Sequence, residues 1–108
     1  MKRAEERFGI SRRSFHAIQE AIDATPEIEE AIIFGSRALG TARRGSDIDI
    51  AIKGNRVTPE TARALSTQLN ERLPIPYYVD VLSYDAIDTP AVRNHIDTHG
   101  KRFYRRGR

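Results

Sequence analysis

IIFGSRALGTARRGSDIDIAI, residues 32 to 52, joins two apolar runs through a glycine-serine turn and an arginine-rich connection. The first run ends at Gly35-Ser36, and the ten residues from Arg37 to Ser46 include three arginines. The second run, residues 47 to 53, alternates strictly. Successive side chains of a strand point to opposite faces. Asp47 and Asp49 therefore share one face, and Ile48, Ile50 and Ile52 share the other. Helices are expected to cover the isoleucine face and to leave the aspartate face open. Two carboxylates this close repel one another unless a cation lies between them or water screens them. A hard divalent cation takes carboxylate oxygens as ligands; a solvated polar sheet face is the alternative.

Gly35-Ser36 bears on that choice. A glycine leaving a strand lets the backbone approach a ligand closely. The serine adds an N–H and a hydroxyl, and a helical turn starting there would aim its N–H groups at one spot, which suits a phosphate. A glycine-serine pair by itself is also an ordinary turn. A third carboxylate, Asp80, sits mid-strand in YYVDVL, residues 77 to 82. A carboxylate inside an apolar strand is costly to bury. If that strand lies beside the Asp47/Asp49 strand, Asp80 shares the open face. Three carboxylates can hold two metals roughly 3.5–4 Å apart, a spacing suited to in-line displacement at phosphorus.

The flanking pattern supplies the rest of the fold. A helix is predicted over residues 11 to 24, with Ser11 as N-cap and Phe15, Ile18 and Ile22 on one face. Residues 30 to 34 read as a strand. The strongest helix runs from 59 to 73, with Thr58 as N-cap, Pro59 at the first position, and Ala62, Leu65, Leu69 and Leu73 along one side before Pro74. Thr89-Pro90 opens a further helix carrying Val92 and Ile96, with Gly100 as its C-cap. KRFYRR is either a last short strand or part of a basic tail over about 101 to 108. The expected class is α/β (α+β), a small mixed sheet with helices packed on one face.

The 108 residues bury one core, so residues 1–108 read as a single domain. Hydrophobic residues make up 39% and charged residues 31%, a balance that argues against disorder. No apolar run approaches the ~20 residues needed to span a bilayer, and MKRAEERFGI lacks the apolar core of a signal peptide. No membrane association is expected. The absence of cysteine excludes disulfides and thiolate metal sites and fits a cytoplasmic protein, although exported proteins also lack cysteine. The net charge is +3, and GKRFYRRGR at the end holds five basic residues and no acidic one. That segment is either solvated or an electrostatic contact for nucleic acid or an acidic partner.

The motif of an apolar residue, Gly-Ser, ten residues and Asp-x-Asp resembles that of the DNA polymerase β-like nucleotidyltransferases. Here it reads Phe34-Gly35-Ser36, then Arg37 to Ser46, then Asp47-Ile48-Asp49. GSRALGTARRGSDIDIAI is most similar to the minimal nucleotidyltransferases, small antitoxins paired with HEPN-domain toxins, and the resemblance covers roughly residues 12 to 104. It implies a polymerase β palm-like fold and transfer of a nucleoside monophosphate from an NTP to a hydroxyl with Mg²⁺, two ions being expected. It further implies ATP as donor, a tyrosine of a HEPN-type toxin as acceptor, and a hetero-oligomer with that toxin. Carried over, Gly35 and Ser36 hold the triphosphate, and Asp47 and Asp49 bind both metals. Asp80 ligates the second metal and helps deprotonate the acceptor.

Other residues have two readings each. Arg37, Arg43 and Arg44 lie between the motif halves and are candidates for phosphate or partner contact, Arg37 being assigned to the nucleotide. His95 and His99 stand four apart on one helix face, a metal-like spacing without a third ligand nearby, so they and His16 read as surface or half-buried histidines. Tyr77, Tyr78, Tyr84 and Tyr104 read as core and rim aromatics. Besides the enzyme, two rival functions remain: an antitoxin acting by contact alone, and a nucleic-acid binder using the basic end.

Overall fold

In the computed structural model, which describes residues 7–107, the stretch around the motif forms the centre of a four-stranded sheet. β1 (Glu30–Phe34) and β2 (Ile48–Lys53) pair antiparallel, with Ile33 opposite Ile50 and Phe34 opposite Asp49. β3 (Val79–Ser83) joins β2 in parallel and sets Asp80 opposite Asp49. β4 (Lys101–Arg105) pairs antiparallel with the other side of β1. The order is β3-β2-β1-β4, so β2 is the mixed strand. A parallel neighbour requires a crossover, which the helical segment after residue 58 provides.

α1 (Arg12–Asp23) and α3 (Pro59–Thr67) cover the isoleucine face. Ile18 and Ile22 of α1 and Leu65 of α3 pack with Ile48, Ile50 and Ile52, each at most 2% exposed. Both helices start where their caps predict. The Ser11 hydroxyl accepts from the Ser14 N–H, and Thr58 and Thr61 form a reciprocal capping box. The predicted helix to residue 73 instead loosens into a π-turn, Gln68–Arg72, and ends at Leu73 in extended backbone, as a residue before proline favours. The turn brings the Asn70 amide to the start of β3. Its Nδ2 donates to the Val79 carbonyl and its Oδ1 accepts from the Val79 N–H, both at 2.8 Å. One side chain thus pairs with the edge strand as a neighbouring strand would.

The second face differs from the expectation of an open surface. α4 (Pro90–His99) lies across part of it, with Ile96 buried against Ile32, Phe34 and Ala51. The reason is in the same alternation: the face that carries Asp49 and Asp80 also carries Ile32, Phe34, Ala51 and Leu82, which need cover. The aspartate end is left uncapped, with Asp47 exposed and Asp49 and Asp80 half-buried. Gly100 follows α4 with an ordinary φ of −63°, so its need is for space. A Cβ there would lie 2.5 Å from the Ile96 carbonyl oxygen and 2.6 Å from Ile32 Cγ2.

Residues 101–105, open between strand and tail in the sequence, form β4. Phe103 enters the core against Phe15, with ring centroids 5.5 Å apart. Arg106 donates to the carbonyls of Ile22, Asp23, Thr25 and Ile28 and so caps the end of α1. Part of the terminal charge is therefore internal structure. No helix among the described residues is long and apolar enough to cross a membrane.

Candidate active site

The parallel register places Asp49 and Asp80 side by side on one face, and the charge of Asp47, two residues earlier, reaches Asp49. Asp49 is half-buried in β2, Asp80 is half-buried beside it in β3, and Asp47 is exposed immediately before β2. Burial pushes the Asp49 carboxyl above its ordinary value, and the charges of Asp80 and then Asp47 push it the same way. The Arg37 charge pulls it down to a lesser degree. Concentrated negative charge, partly desolvated, is a donor set whose repulsion a hard cation relieves. The chemistry of these groups fits a magnesium site. Among the described residues, however, no three His, Asp or Glu side chains already close around one metal position; the arrangement is an open carboxylate face.

Gly35 links that face to the turn. Its φ of 74° and ψ of −155° lie in a region that essentially only glycine adopts. From the sequence, the space at Gly35 is expected to admit a ligand close to the backbone. In the structure Asp49 already borders it, since a Cβ on Gly35 would stand 2.5 Å from Asp49 Oδ2. The Gly35 N–H is also committed: it donates to His95 Nε2 at 3.0 Å. α2 (Ser36–Leu39) begins at the next residue. Its Ser36 carbonyl accepts from Thr41, and the Ser36 hydroxyl enters no hydrogen bond among the described residues.

His95 is half-buried, as a lone histidine was expected to be, but it belongs to this site. Its ring meets Phe34 edge-on with centroids 6.1 Å apart and lies 5.3 Å from the His99 ring. The sequence signal is its place three residues after Val92, which packs on the covered side of α4.

Arg37, which the sequence assigns to the nucleotide, is turned inward in the structure. It is 4% exposed. Its guanidinium donates to the carbonyls of Phe8, Gly9, Ser46 and Asp47 at 2.7 to 3.3 Å and stacks on the Tyr77 ring at 4.8 Å. Those bonds close the connection between the motif halves and tie it to the segment before α1, because a buried guanidinium must spend its donors on acceptors inside the protein. Its charge still reaches Asp49. Arg43 and Arg44 remain exposed. Arg37→Met is expected to lower stability by about 2–4 kcal/mol, since it strands carbonyls that lose charged donors. Urea denaturation of the two proteins checks this, and an unchanged midpoint would show that the connection does not depend on the clamp.

A cavity of about 500 Å³ opens along the outer edge of β3. Asp80 is in its wall, between Ala62 and Ser66 of α3 on one side and Ile87 and Val92 on the other. Its size lies in the range of small-molecule and side-chain sites.

A polymerase β-type nucleotidyltransferase domain model matches residues 16–108. The chain belongs to the polymerase β nucleotidyltransferase family. No curated protein sequence matches it significantly. Among solved structures, a toxin–antitoxin crystallised with AMP-PNP is 24% identical with a TM-score of 0.65, covering 85% of this chain and 71% of that one. The toxin–antitoxin MntA–HepT is 20% identical with a TM-score of 0.64, covering 87% and 72%. A Sulfolobus solfataricus protein described as a candidate nucleotidyltransferase is 23% identical with a TM-score of 0.54, covering 87% and 82%. At these identities the likeness speaks for the fold.

Proposed function

We propose that the chain is a minimal nucleotidyltransferase antitoxin that moves AMP from ATP onto a hydroxyl of a HEPN-type toxin. The observation that carries this reading is the register of Asp49 opposite Asp80, next to the Gly35-Ser36 turn. Family membership supports the transfer chemistry. The toxin–antitoxin relatives of the fold, one with AMP-PNP, support the partner and the donor.

Ser36 would hold the triphosphate through its N–H and hydroxyl, and Gly35 would set the angle at which they are presented. Asp47, Asp49 and Asp80 would hold Mg²⁺, which when bound supplies charge neutralisation at the phosphates and acidifies the attacking hydroxyl. Asp80 borders the cavity along β3, so an acceptor side chain entering there meets a carboxylate able to take its proton. The hydroxyl oxygen bonds to the α-phosphorus, the bond to the β-phosphate oxygen breaks, and pyrophosphate leaves. The docked partner would supply the missing wall and place its hydroxyl in line. Exposed Arg43 and Arg44 would steer an acidic partner surface. Such an antitoxin works in the cytoplasm.

The test is intact-mass analysis of a co-expressed HEPN protein after incubation with ATP and Mg²⁺. One or more added AMP units, mapped by fragmentation to a tyrosine, serine or threonine, are expected. An unmodified partner that is nonetheless silenced would favour the contact-only antitoxin. A partner left active, with a nucleic acid or small molecule nucleotidylated instead, would overturn the protein acceptor.

A further inference from the structure

We propose that His95 is a positioning residue for the nucleotide turn: its neutral imidazole holds the Gly35 amide and thereby fixes how Ser36 presents its N–H and hydroxyl. The proposal rests on the nucleotide-binding role given to Ser36 above.

Four observations converge. The Gly35 N–H meets His95 Nε2 at 3.0 Å across 60 residues of sequence. That nitrogen must be the acceptor, so the geometry assigns the neutral ring its proton on Nδ1. The ring cannot swing away easily, because Phe34 meets it edge-on and His99 lies against it. Its backbone is anchored too, since the next residue, Ile96, is 3% exposed beneath the sheet face.

Gly35 is therefore gripped from two directions. Asp49 Oδ2 occupies the position next to where a Cβ would be, and His95 occupies the amide. β1 ends its pairing with β2 at Phe34, so the sheet does not supply this amide with a partner. Without His95, a half-buried N–H in a glycine-only conformation would lose its acceptor. The turn would then relax among several conformations, and only one presents Ser36 beside the carboxylates. His95 acts through Gly35, and its signature is an effect on nucleotide affinity that an acceptor at the same place restores.

The experiment uses His95→Phe, which keeps ring volume and removes the acceptor, His95→Leu as a smaller apolar control, and His95→Gln, which returns an acceptor at similar reach. Two readouts are taken on the full chain: amide hydrogen exchange of Gly35 by NMR without nucleotide, and calorimetric titration with AMP-PNP and Mg²⁺. In His95→Phe and His95→Leu, Gly35 exchange is expected to rise and AMP-PNP affinity to fall, each by about tenfold. His95→Gln should stay within about threefold of wild type in both. Unchanged Gly35 exchange in His95→Phe overturns the proposal. Equal weakening in His95→Gln and His95→Phe also overturns it, by showing that ring packing matters and the acceptor does not. A wild-type chain that binds no AMP-PNP overturns the nucleotidyltransferase reading and the ligand half of this proposal, while the exchange comparison still decides whether His95 holds the turn.

Discussion

Asp49→Asn is expected to abolish nucleotidyl transfer, by about 10³-fold or more, while making the protein slightly more stable. The two effects have one origin. Asp49 is half-buried between Asp80 and Asp47, and its carboxyl is held above the ordinary range by burial first and by those charges second. A folded-state pKa above the unfolded one means that ionisation opposes folding. The penalty is fully present above the folded value, is relieved as pH falls through it, and has vanished below the unfolded value near 3.8. Asparagine removes the penalty at every pH. Solvent screens a half-exposed group, so the gain is small, about 0.5 kcal/mol. Melting curves in EDTA should therefore show the variant above wild type at pH 7 and the gap closing toward acid. Activity falls because the carboxylate is a charge the transfer needs at the phosphates. A variant that retains transfer, or one that melts well below wild type, would contradict this account of Asp49.

Gly35→Val should unfold the motif turn outright, costing about 3 kcal/mol or more and eliminating AMP-PNP binding. Positive φ at this position costs a residue with a Cβ about 1–3 kcal/mol, and a β-branched side chain is the worst case. The second penalty is steric, for the new Cβ would stand 2.5 Å from Asp49 Oδ2. The two parts separate in a double-mutant cycle with Gly35→Ala and Asp49→Ala. Asp49→Ala removes the oxygen and leaves a Cβ at the ordinary distance of 3.6 Å. The pair should recover the steric share of the lost stability, measured by urea denaturation, and none of the activity. Strict additivity between the two sites would mean that strain alone keeps glycine at position 35.

Much of this geometry was legible in the sequence because it is local. Thr58-Pro59 and the leucine spacing after it place the start of α3, and the alternation from Asp47 to Lys53 sorts β2 into its two faces. Asp80 could be assigned to that face only on the condition that its strand lay beside β2, which the parallel pairing meets. What was not legible depends on distant packing. Arg37 reads from the sequence as a nucleotide contact in the connection between the motif halves, and only the fold brings the carbonyls of Phe8 and Gly9 to it. α4 offers a weak apolar stripe, so nothing in Val92 and Ile96 says which sheet face they cover. His95 meets Gly35 by that choice of face alone. The end of α3 was missed for a different reason: the leucine period runs on past Thr67, and the π-turn follows from the bonds Asn70 makes to β3.

α4 and β4 are separated by Gly100 alone, and together they hold β1 from two sides. Ile96 sits on its face, β4 pairs with its edge, and Arg106 fastens the far end to α1. Contacts that join positions 60 to 84 apart in the chain close late, after the local hairpin of β1 and β2. The segment from 90 to 106 is then expected to open as one cooperative unit. When it detaches, β1 loses a ladder and Gly35 loses its imidazole in the same event. The lifetime of the ordered turn is set by how firmly this C-terminal latch is shut, and any contact that tightened the latch from outside would sharpen the site without touching it.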